Sequence, residues 1–347
     1  MEYGPPASDG GQGHENNTPS GHEGGVMQLN RDDLLRAYRT MRLIRDFEER
    51  LHVEFATGEI PGFVHLYAGE EASAVGVCMH LGERDSIAST HRGHGHCIAK
   101  GCDVGGMMKE IYGRKDGLCA GKGGSMHIAD LSKGMLGANG IVGGGPPLIC
   151  GAALTAKVMK TGGVAVAFLG DGASNQGTTL ESYNLASVWK LPAVFVVEDN
   201  GYAESTASGY AVAGSQSDRA RGFGMPAQEV DGFDFFAVHD AAGAAIERAR
   251  AGEGPSLIHV RLTRYFGHFE GDGMTYRGPG EVDRLRAERD CLQRFRARVT
   301  EAALLEADAL DAIDRSVAED IERSVRDAKE APRPTEADLL TDVYVAY

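Results

Sequence analysis

No run of apolar residues in this chain approaches the ~18 needed to cross a bilayer, and the N-terminus lacks the basic and apolar regions of a secretory signal. The expectation is a cytoplasmic protein. There is no GxxxxGK[ST] loop to cradle a triphosphate, which argues against a nucleotide-dependent site. CxxC pairs are absent too. The six cysteines (Cys78, Cys97, Cys102, Cys119, Cys150 and Cys291) are scattered through apolar and Gly-rich stretches. That spacing excludes a disulfide framework, so they are expected reduced and mostly buried. Basic charge is short as well: 35 Lys and Arg face 50 Asp and Glu, for a net charge of -15. Nucleic acid and anionic membranes would repel such a surface, leaving only local basic pockets for anions.

Glycine is what the chain has in excess. Its 48 glycines exceed the usual share of roughly 7% and cluster at the extreme N-terminus and around 93–106, 117–145 and 162–177. Loops of that kind let backbone approach a ligand closely. At 347 residues the chain can bury a substantial core, as one large α/β domain or two ordinary ones. With no interdomain linker and no internal repeat, one domain over 28–347 is expected.

Residues 1–27 carry Gly, Pro, Ser, Asn and Asp with almost nothing apolar, so a disordered tail is expected there. Asn30 reads as an N-cap with Asp33 three residues on, and Leu34, Tyr38, Met41, Ile44, Leu51 and Phe55 follow at helical spacing. A long amphipathic helix is expected, ending near Gly58–Pro61. Further on, 164–168, 193–197 and 256–262 are short apolar strands. Between the first two, 178–191 patterns as a helix with Leu180, Tyr183, Val188 and Leu191 on one face. Continuous apolar strands joined by helices predict an α/β fold, a mostly parallel sheet with helices on both faces. The mixed charge over 281–330 predicts surface helices.

In such a sheet ligands bind beyond the carboxyl ends of strands. Asp171, in Gly170-Asp171-Gly172, and Asn200, after Asp199, each follow an apolar strand, one crossover apart. Side by side they can serve Mg²⁺, which takes a few protein oxygens plus phosphate oxygens at about 2.0–2.1 Å. Asp171 offers charge, Asn200 a neutral carbonyl, and the backbone carbonyl near Tyr202 a third oxygen. Gly172 and Ala173 are expected to open the next helix, whose N-terminus favours phosphate. Alone, a GDG sequence is a tight turn. The strand–GDG–helix–strand–Asn context gives it functional meaning.

The stretch GDGASNQGTTLESYNLASVWKLPAVFVVEDNGYAEST resembles the alpha subunits of the thiamine-diphosphate-dependent dehydrogenase complexes that act on pyruvate, branched-chain 2-oxo acids and acetoin. The resemblance runs from about residue 30 to the C-terminus. It implies a thiamine-diphosphate-binding fold, Mg²⁺, and a histidine, His65, in Gly62-Phe-Val-His-Leu-Tyr beside the reacting centre. The run His91-Arg-Gly-His-Gly-His96 is similar to the phosphate-facing loop, which implies roles for His91, Arg92 and His94. Three imidazoles with Cys97 or Cys102 are also a conceivable Zn²⁺ set, though the run lacks HExxH spacing. Gly140 and Val142 match backbone positions that hold the aminopyrimidine. Arg264-Tyr-Phe-Gly-His268 resembles the closing loop, with Arg264 and His268 on the phosphates. Read alone, His65 and His268 are also ordinary structural or surface histidines, and Arg264 an ordinary ion-pair partner.

Departures exist. Asp199 stands where relatives carry a first Asn, Phe266 where a His is frequent, and Phe269-Glu270 where regulated relatives carry a phosphorylatable serine, so that regulation is not expected. Gly143-Gly-Gly-Pro-Pro147 is unusually rich in Gly and Pro.

The cofactor adds through its thiazolium carbon to a carbonyl and takes up electrons as the neighbouring C–C bond breaks. The resemblance implies that its activating glutamate comes from a beta subunit, in a tetramer of two alpha and two beta chains, and that the product group passes to a lipoyl-bearing acyltransferase. His65 and His268 are the implied acid/base or orienting groups. The segments Glu198–Thr206 and Gly267–Asp272 look most like acetoin-cleaving members. Alternatives are a pyruvate or branched-chain enzyme, a decarboxylase releasing free aldehyde, and a non-catalytic subunit of the same fold.

Overall fold

A computed structural model of the chain describes residues 29–343. The tail expected over 1–27 lies outside the described residues. Helix α1 (Arg31–Phe55) starts with a capping box: the Asp33 amide donates to Asn30 Oδ1 at 2.9 Å and the Asn30 amide to Asp33 Oδ2 at 3.3 Å. Its stripe of Leu34, Tyr38, Met41, Ile44 and Leu51 is buried, each side chain contributing about 1.5–3 kcal/mol. Arg45 and Glu48 lie buried on the same stripe. They are tolerated because Arg45 meets Glu71 at 2.6 Å and Asp290 at 2.7 Å, and Glu48 meets His94 at 3.0 Å.

Short elements follow: α2 (Glu71–Cys78), β1 (Ser86–Ala88), α3 (His94–Lys100) and α4 (Val104–Ile111). Helix α5 (Gly145–Met159) accounts for the unusual Gly/Pro run before it. Pro146 and Pro147 occupy its first turn, where a fixed φ and a missing N–H cost nothing. Gly143 precedes them at φ +84, with its missing Cβ 2.7 Å from Gln176. Strand β2 (Ala165–Gly170), helix α6 (Gly177–Val188) and strand β3 (Ala193–Asp199) form the central crossover. A two-stranded hairpin, β4 (Tyr202–Ala203) and β5 (Thr206–Ala207), runs into a single turn, α7 (Ser208–Ala211). Then come α8 (Gln216–Gly222), β6 (Ala227–Asp231), α9 (Phe235–Arg250), β7 (Ser256–Arg261), and α10 (Glu281–Glu288), α11 (Cys291–Glu301) and α12 (Ala307–Glu330).

The five main strands are all parallel, in the order β1-β2-β3-β7-β6. Side chains alternate between two cores, as the period of 2 requires. Val166, Phe168, Val194, Val196, Ile258 and Val260 face α1, α2, α9 and the C-terminal helices. Ala165, Ala167, Leu169, Phe195, Val197 and Leu257 face α5, α6 and α8. Helices cover both faces, as the apolar strands predict. The six cysteines are free, and all but Cys119 are buried. Among the described residues no helix is long and apolar enough to cross a membrane.

Two local expectations are corrected. The helix after Gly172-Ala173 does not open there: Ala173–Asn175 is one 3₁₀ turn, Gln176 is extended, and α6 begins at Gly177. In α6 Tyr183 is buried, but Val188 is 69% exposed and Leu191 packs in the turn beyond the helix. Strand β6 gives no apolar run because it is the sheet edge, where Gln228 and Glu229 are exposed.

Candidate active site

A cleft of about 410 Å³ opens at the carboxyl ends of β1, β2, β3 and β7. Its floor is the pair of strand ends that the sequence singled out. Asp171 is 3% exposed, and among the described residues no Lys, Arg or His forms an ion pair with it. Burial pushes its carboxyl upward, and Asp199 adds to that against the hydrogen bond from Ser208. Gly172 leaves the room that Ala203 of the hairpin fills, since a Cβ there would lie 2.7 Å from the Ala203 methyl. Asn200 Oδ1 accepts from the Tyr202 amide at 3.2 Å, and its Nδ2 donates to Glu70 Oε1 at 3.2 Å. The Tyr202 carbonyl accepts from Arg264 at 3.1 Å.

Asp199 has its own structural partners. Its Oδ1 accepts from the Gly201 amide at 2.9 Å, and its Oδ2 meets His259 Nε2 at 3.1 Å. A carboxylate is tolerated where a neutral amide is usual because His259 reaches it from β7. Those contacts hold Asp199 below the usual carboxylate range although burial opposes them.

Three imidazoles stand above the floor. His65, His91 and His268 have ring centroids 4.6–5.1 Å apart, and their nearest ligand nitrogens lie within 4.8 Å of one another. Burial, with Arg92 beside them, pushes His65 down to about 3, His91 to about 2 and His268 to about 4. All three are neutral near pH 7. Arg92 and Arg264 make the cluster unfavourable for a metal ion, because the guanidiniums that suppress protonation repel a cation placed among the three imidazoles. An anion is the fitting guest.

The arginines also tie the loops together. Arg92 donates to the Leu66 carbonyl at 2.5 Å and the His268 carbonyl at 2.9 Å. Arg264 is 1% exposed and holds Tyr202 O, Glu204 O at 2.7 Å and Tyr276 Oη at 2.6 Å. Arg264 Nε and the Nδ1 atoms of His65 and His268 are buried without a hydrogen-bond partner. Such orphaned polar atoms around one cleft call for a polar ligand. Gly140, Ile141 and Val142 form its open wall, with Val142 49% exposed.

His94 is not at the cleft. It is fully buried, with Nδ1 on Glu48 and Nε2 on Ser125 at 2.9 Å, so it is not placed to contact the diphosphate or line its entrance as the resemblance implied. His96 is likewise committed to Ser89 and Glu198 and stacks on Phe168 at 3.8 Å. With both imidazoles satisfied and Cys97 and Cys102 buried in the core, the Zn²⁺ alternative falls. The sequence reading missed Glu70, Glu198 and Ser208. Glu70 and Glu198 line the cleft side by side with Asn200. Burial raises Glu70 to about 8 against the pull of Arg92, while His96, Ser73 and Tyr67 outweigh burial and hold Glu198 low. Their environments push the pair apart, one proton-bearing and one ionised, an arrangement suited to proton handling. Both glutamates lie inside recognised motifs, but burial alone distinguishes them.

The donor set fits Mg²⁺ with a diphosphate. A buried carboxylate without a cation, an amide carbonyl and a backbone carbonyl are hard oxygen ligands on adjacent strand ends. Arg264, which already donates to the Tyr202 carbonyl, and the neutral imidazoles line the same cleft as anion donors.

Residues 39–337 match the family model described as dehydrogenase E1 component. The chain is 63% identical, over 93% of its length and 97% of the relative's, to the alpha subunit of acetoin:2,6-dichlorophenolindophenol oxidoreductase of Cupriavidus necator. The counterpart of that subunit in Bacillus subtilis is 56% identical, over 92% of this chain and 96% of the relative. The alpha subunit of the pyruvate dehydrogenase E1 component of Rhizobium meliloti is 40% identical, over 92% of each chain.

Proposed function

The chain belongs to the dehydrogenase E1 component family, a thiamine-diphosphate-dependent group, and on that premise we propose that it is the alpha subunit of an oxidoreductase that cleaves acetoin. The observation that carries the reading is the meeting, in one cleft, of a cation-seeking carboxylate and amide with two arginines and three neutral imidazoles. Preference for acetoin over pyruvate rests on the acetoin relatives sharing clearly more of the sequence than the pyruvate ones do.

In this proposal Asp171, Asn200 and the Tyr202 carbonyl hold Mg²⁺. The amides of Gly172 and Ala173, with His91, Arg92, Arg264 and His268, receive the diphosphate, and backbone groups of Gly140 and Val142 receive the aminopyrimidine. Bound thiamine diphosphate supplies a carbon nucleophile and electron sink for breaking the bond between the carbonyl and carbinol carbons of acetoin. His65 and His268, neutral and facing one another, would orient the substrate carbonyl and take the proton of the carbinol hydroxyl, freeing acetaldehyde where a 2-oxo acid would lose CO₂. A beta subunit covers the open wall at Gly140–Val142 and completes the cofactor site. The proposal extends to two alpha and two beta chains, a lipoyl-bearing acyltransferase as acceptor, action in the cytoplasm, and a single catalytic domain over 28–347.

The test is the chain assembled with its beta subunit, thiamine diphosphate and Mg²⁺, assayed for dye reduction with acetoin, pyruvate and branched 2-oxo acids. Acetoin is expected to be turned over fastest. Faster turnover of pyruvate would remove the substrate assignment, and absence of cofactor binding in the assembled protein would remove the enzyme reading.

A further inference from the structure

Ser208 stands between the two carboxylates at the floor of the cleft. Its Oγ donates to Asp171 Oδ2 and lies 3.0 Å from Asp199 Oδ1. The placement is fixed by backbone. The Ser208 amide donates to the Gly201 carbonyl at 2.9 Å, and the hairpin pairing Tyr202 with Ala207 folds the chain back to that point. Gly201 at φ +87 and Glu204 at φ +53 make the fold-back tight. Ser208 therefore reaches Asp171 from the same hairpin whose Tyr202 carbonyl is the third oxygen of the cation site.

We propose that Ser208 sets metal selectivity: by donating to Oδ2 of Asp171 it penalises chelation through both carboxylate oxygens, and so favours Mg²⁺ over larger cations such as Ca²⁺. Mg²⁺ is octahedral and is served by one oxygen per carboxylate. Ca²⁺ takes 6–8 oxygens at about 2.3–2.6 Å and readily uses a carboxylate through both. Chelation through both oxygens of Asp171 would break the buried hydrogen bond from Ser208. The second carboxylate is engaged elsewhere, its Oδ1 accepting from the Gly201 amide and its Oδ2 meeting His259. Chelation through Asp171, or recruitment of Asp199, would each break buried hydrogen bonds.

This inference rests on the reading that Asp171 carries the cation. The assembled alpha and beta protein is titrated with thiamine diphosphate by calorimetry, in Mg²⁺ and separately in Ca²⁺, for wild type, Ser208→Ala, Ser208→Cys and Ser208→Thr. Wild type is expected to bind the cofactor more tightly with Mg²⁺. Ser208→Ala should narrow that ratio about tenfold, the equivalent of the roughly 1.4 kcal/mol that one hydrogen bond to a charged group contributes. Ser208→Thr keeps the hydroxyl and the ratio, and Ser208→Cys, a weak donor of similar size, falls between. A loose or damaged loop would weaken both titrations together, so an unchanged ratio in Ser208→Ala and Ser208→Cys overturns the proposal, as does a wild type without preference. Asp171→Ala separates the two levels. If it still binds the cofactor, the cation assignment itself fails; if it does not and the Ser208 ratios are flat, only the selectivity role fails.

Discussion

Replacing Asp171 by Asn should make the metal-free protein more stable while destroying its cofactor site. Asp171 is a buried carboxylate with no ion-pair partner among the described residues, raised by burial and by Asp199. Two carboxylate oxygens that flank one hydroxyl, which donates to one of them, lie about 5 Å apart at ordinary contact lengths. At that separation and an effective dielectric of ~20, two like charges repel by about 3 kcal/mol. The contact of Asp199 with His259 and the weaker Ser208 bond to a neutral acceptor offset part of this. A net gain of about 1–2 kcal/mol remains, a rise in melting temperature of roughly 1–3 °C for a chain of this length. Calorimetric melts at pH 8 in chelator, followed by titration with thiamine diphosphate and Mg²⁺, measure both sides. Asn keeps the shape and loses the charge, so cofactor affinity should fall about 100-fold or more, the loss of a charged ligand to a dication being worth at least ~3 kcal/mol. A variant that melts at or below wild type, or that binds the cofactor normally, would refute the reasoning.

Further outcomes follow from other contacts. His65, His91 and His268 have folded values near 3, 2 and 4, below the ordinary 6.5, so the native chain binds fewer protons than the unfolded one below pH 6.5. Stability of the cofactor-free protein is therefore expected to fall from pH 6.5 toward 4, by at most about 1.4 kcal/mol per pH unit for each histidine. Urea melts across that range should show the slope shrink in a variant with all three changed to Gln, and an unchanged slope would count against neutral imidazoles. Glu110 is fully buried and its carboxylate accepts four backbone amides, from Cys119, Gly121, Gly123 and Gly124. Glu110→Ala should cost about 3–5 kcal/mol, read by denaturation, with hydrogen exchange accelerating over 117–124. A Cβ on Gly95 would stand 2.1 Å from the Tyr67 ring, whose hydroxyl donates to Glu198. Gly95→Ala should therefore cost about 1–3 kcal/mol and disturb Glu198, whereas Gly101→Asn, at φ +93 with open space, should cost far less.

The chemistry-bearing residues were legible where chemistry is local. A carboxylate in a tight turn after one strand and an asparagine after the next can be read from order and spacing alone, because parallel strands place successive carboxyl ends together. The capping box of α1 and its buried stripe were equally plain, since each depends on residues three or four apart. What failed depended on long-range geometry. His94 and His96 belong to one imidazole-rich run with His91, yet α3 begins at His94 and turns both rings into the protein, toward Glu48 and Glu198. No local signal separates the three. Strand β6 was missed because an edge strand buries little and so shows no apolar run.

By itself the sequence determined the sheet, its helical cover, the motif at two strand ends and the family, because each rests on periodicity or on contiguous residues. Only the tertiary structure decided which polar groups share the cleft. It placed His259 of β7 against Asp199, returned Ser208 through a hairpin to Asp171, and buried Glu70 beside Glu198. Those contacts join residues 37 to 128 positions apart, and their strength comes from shared desolvation, a property of the folded interior that no stretch of sequence carries.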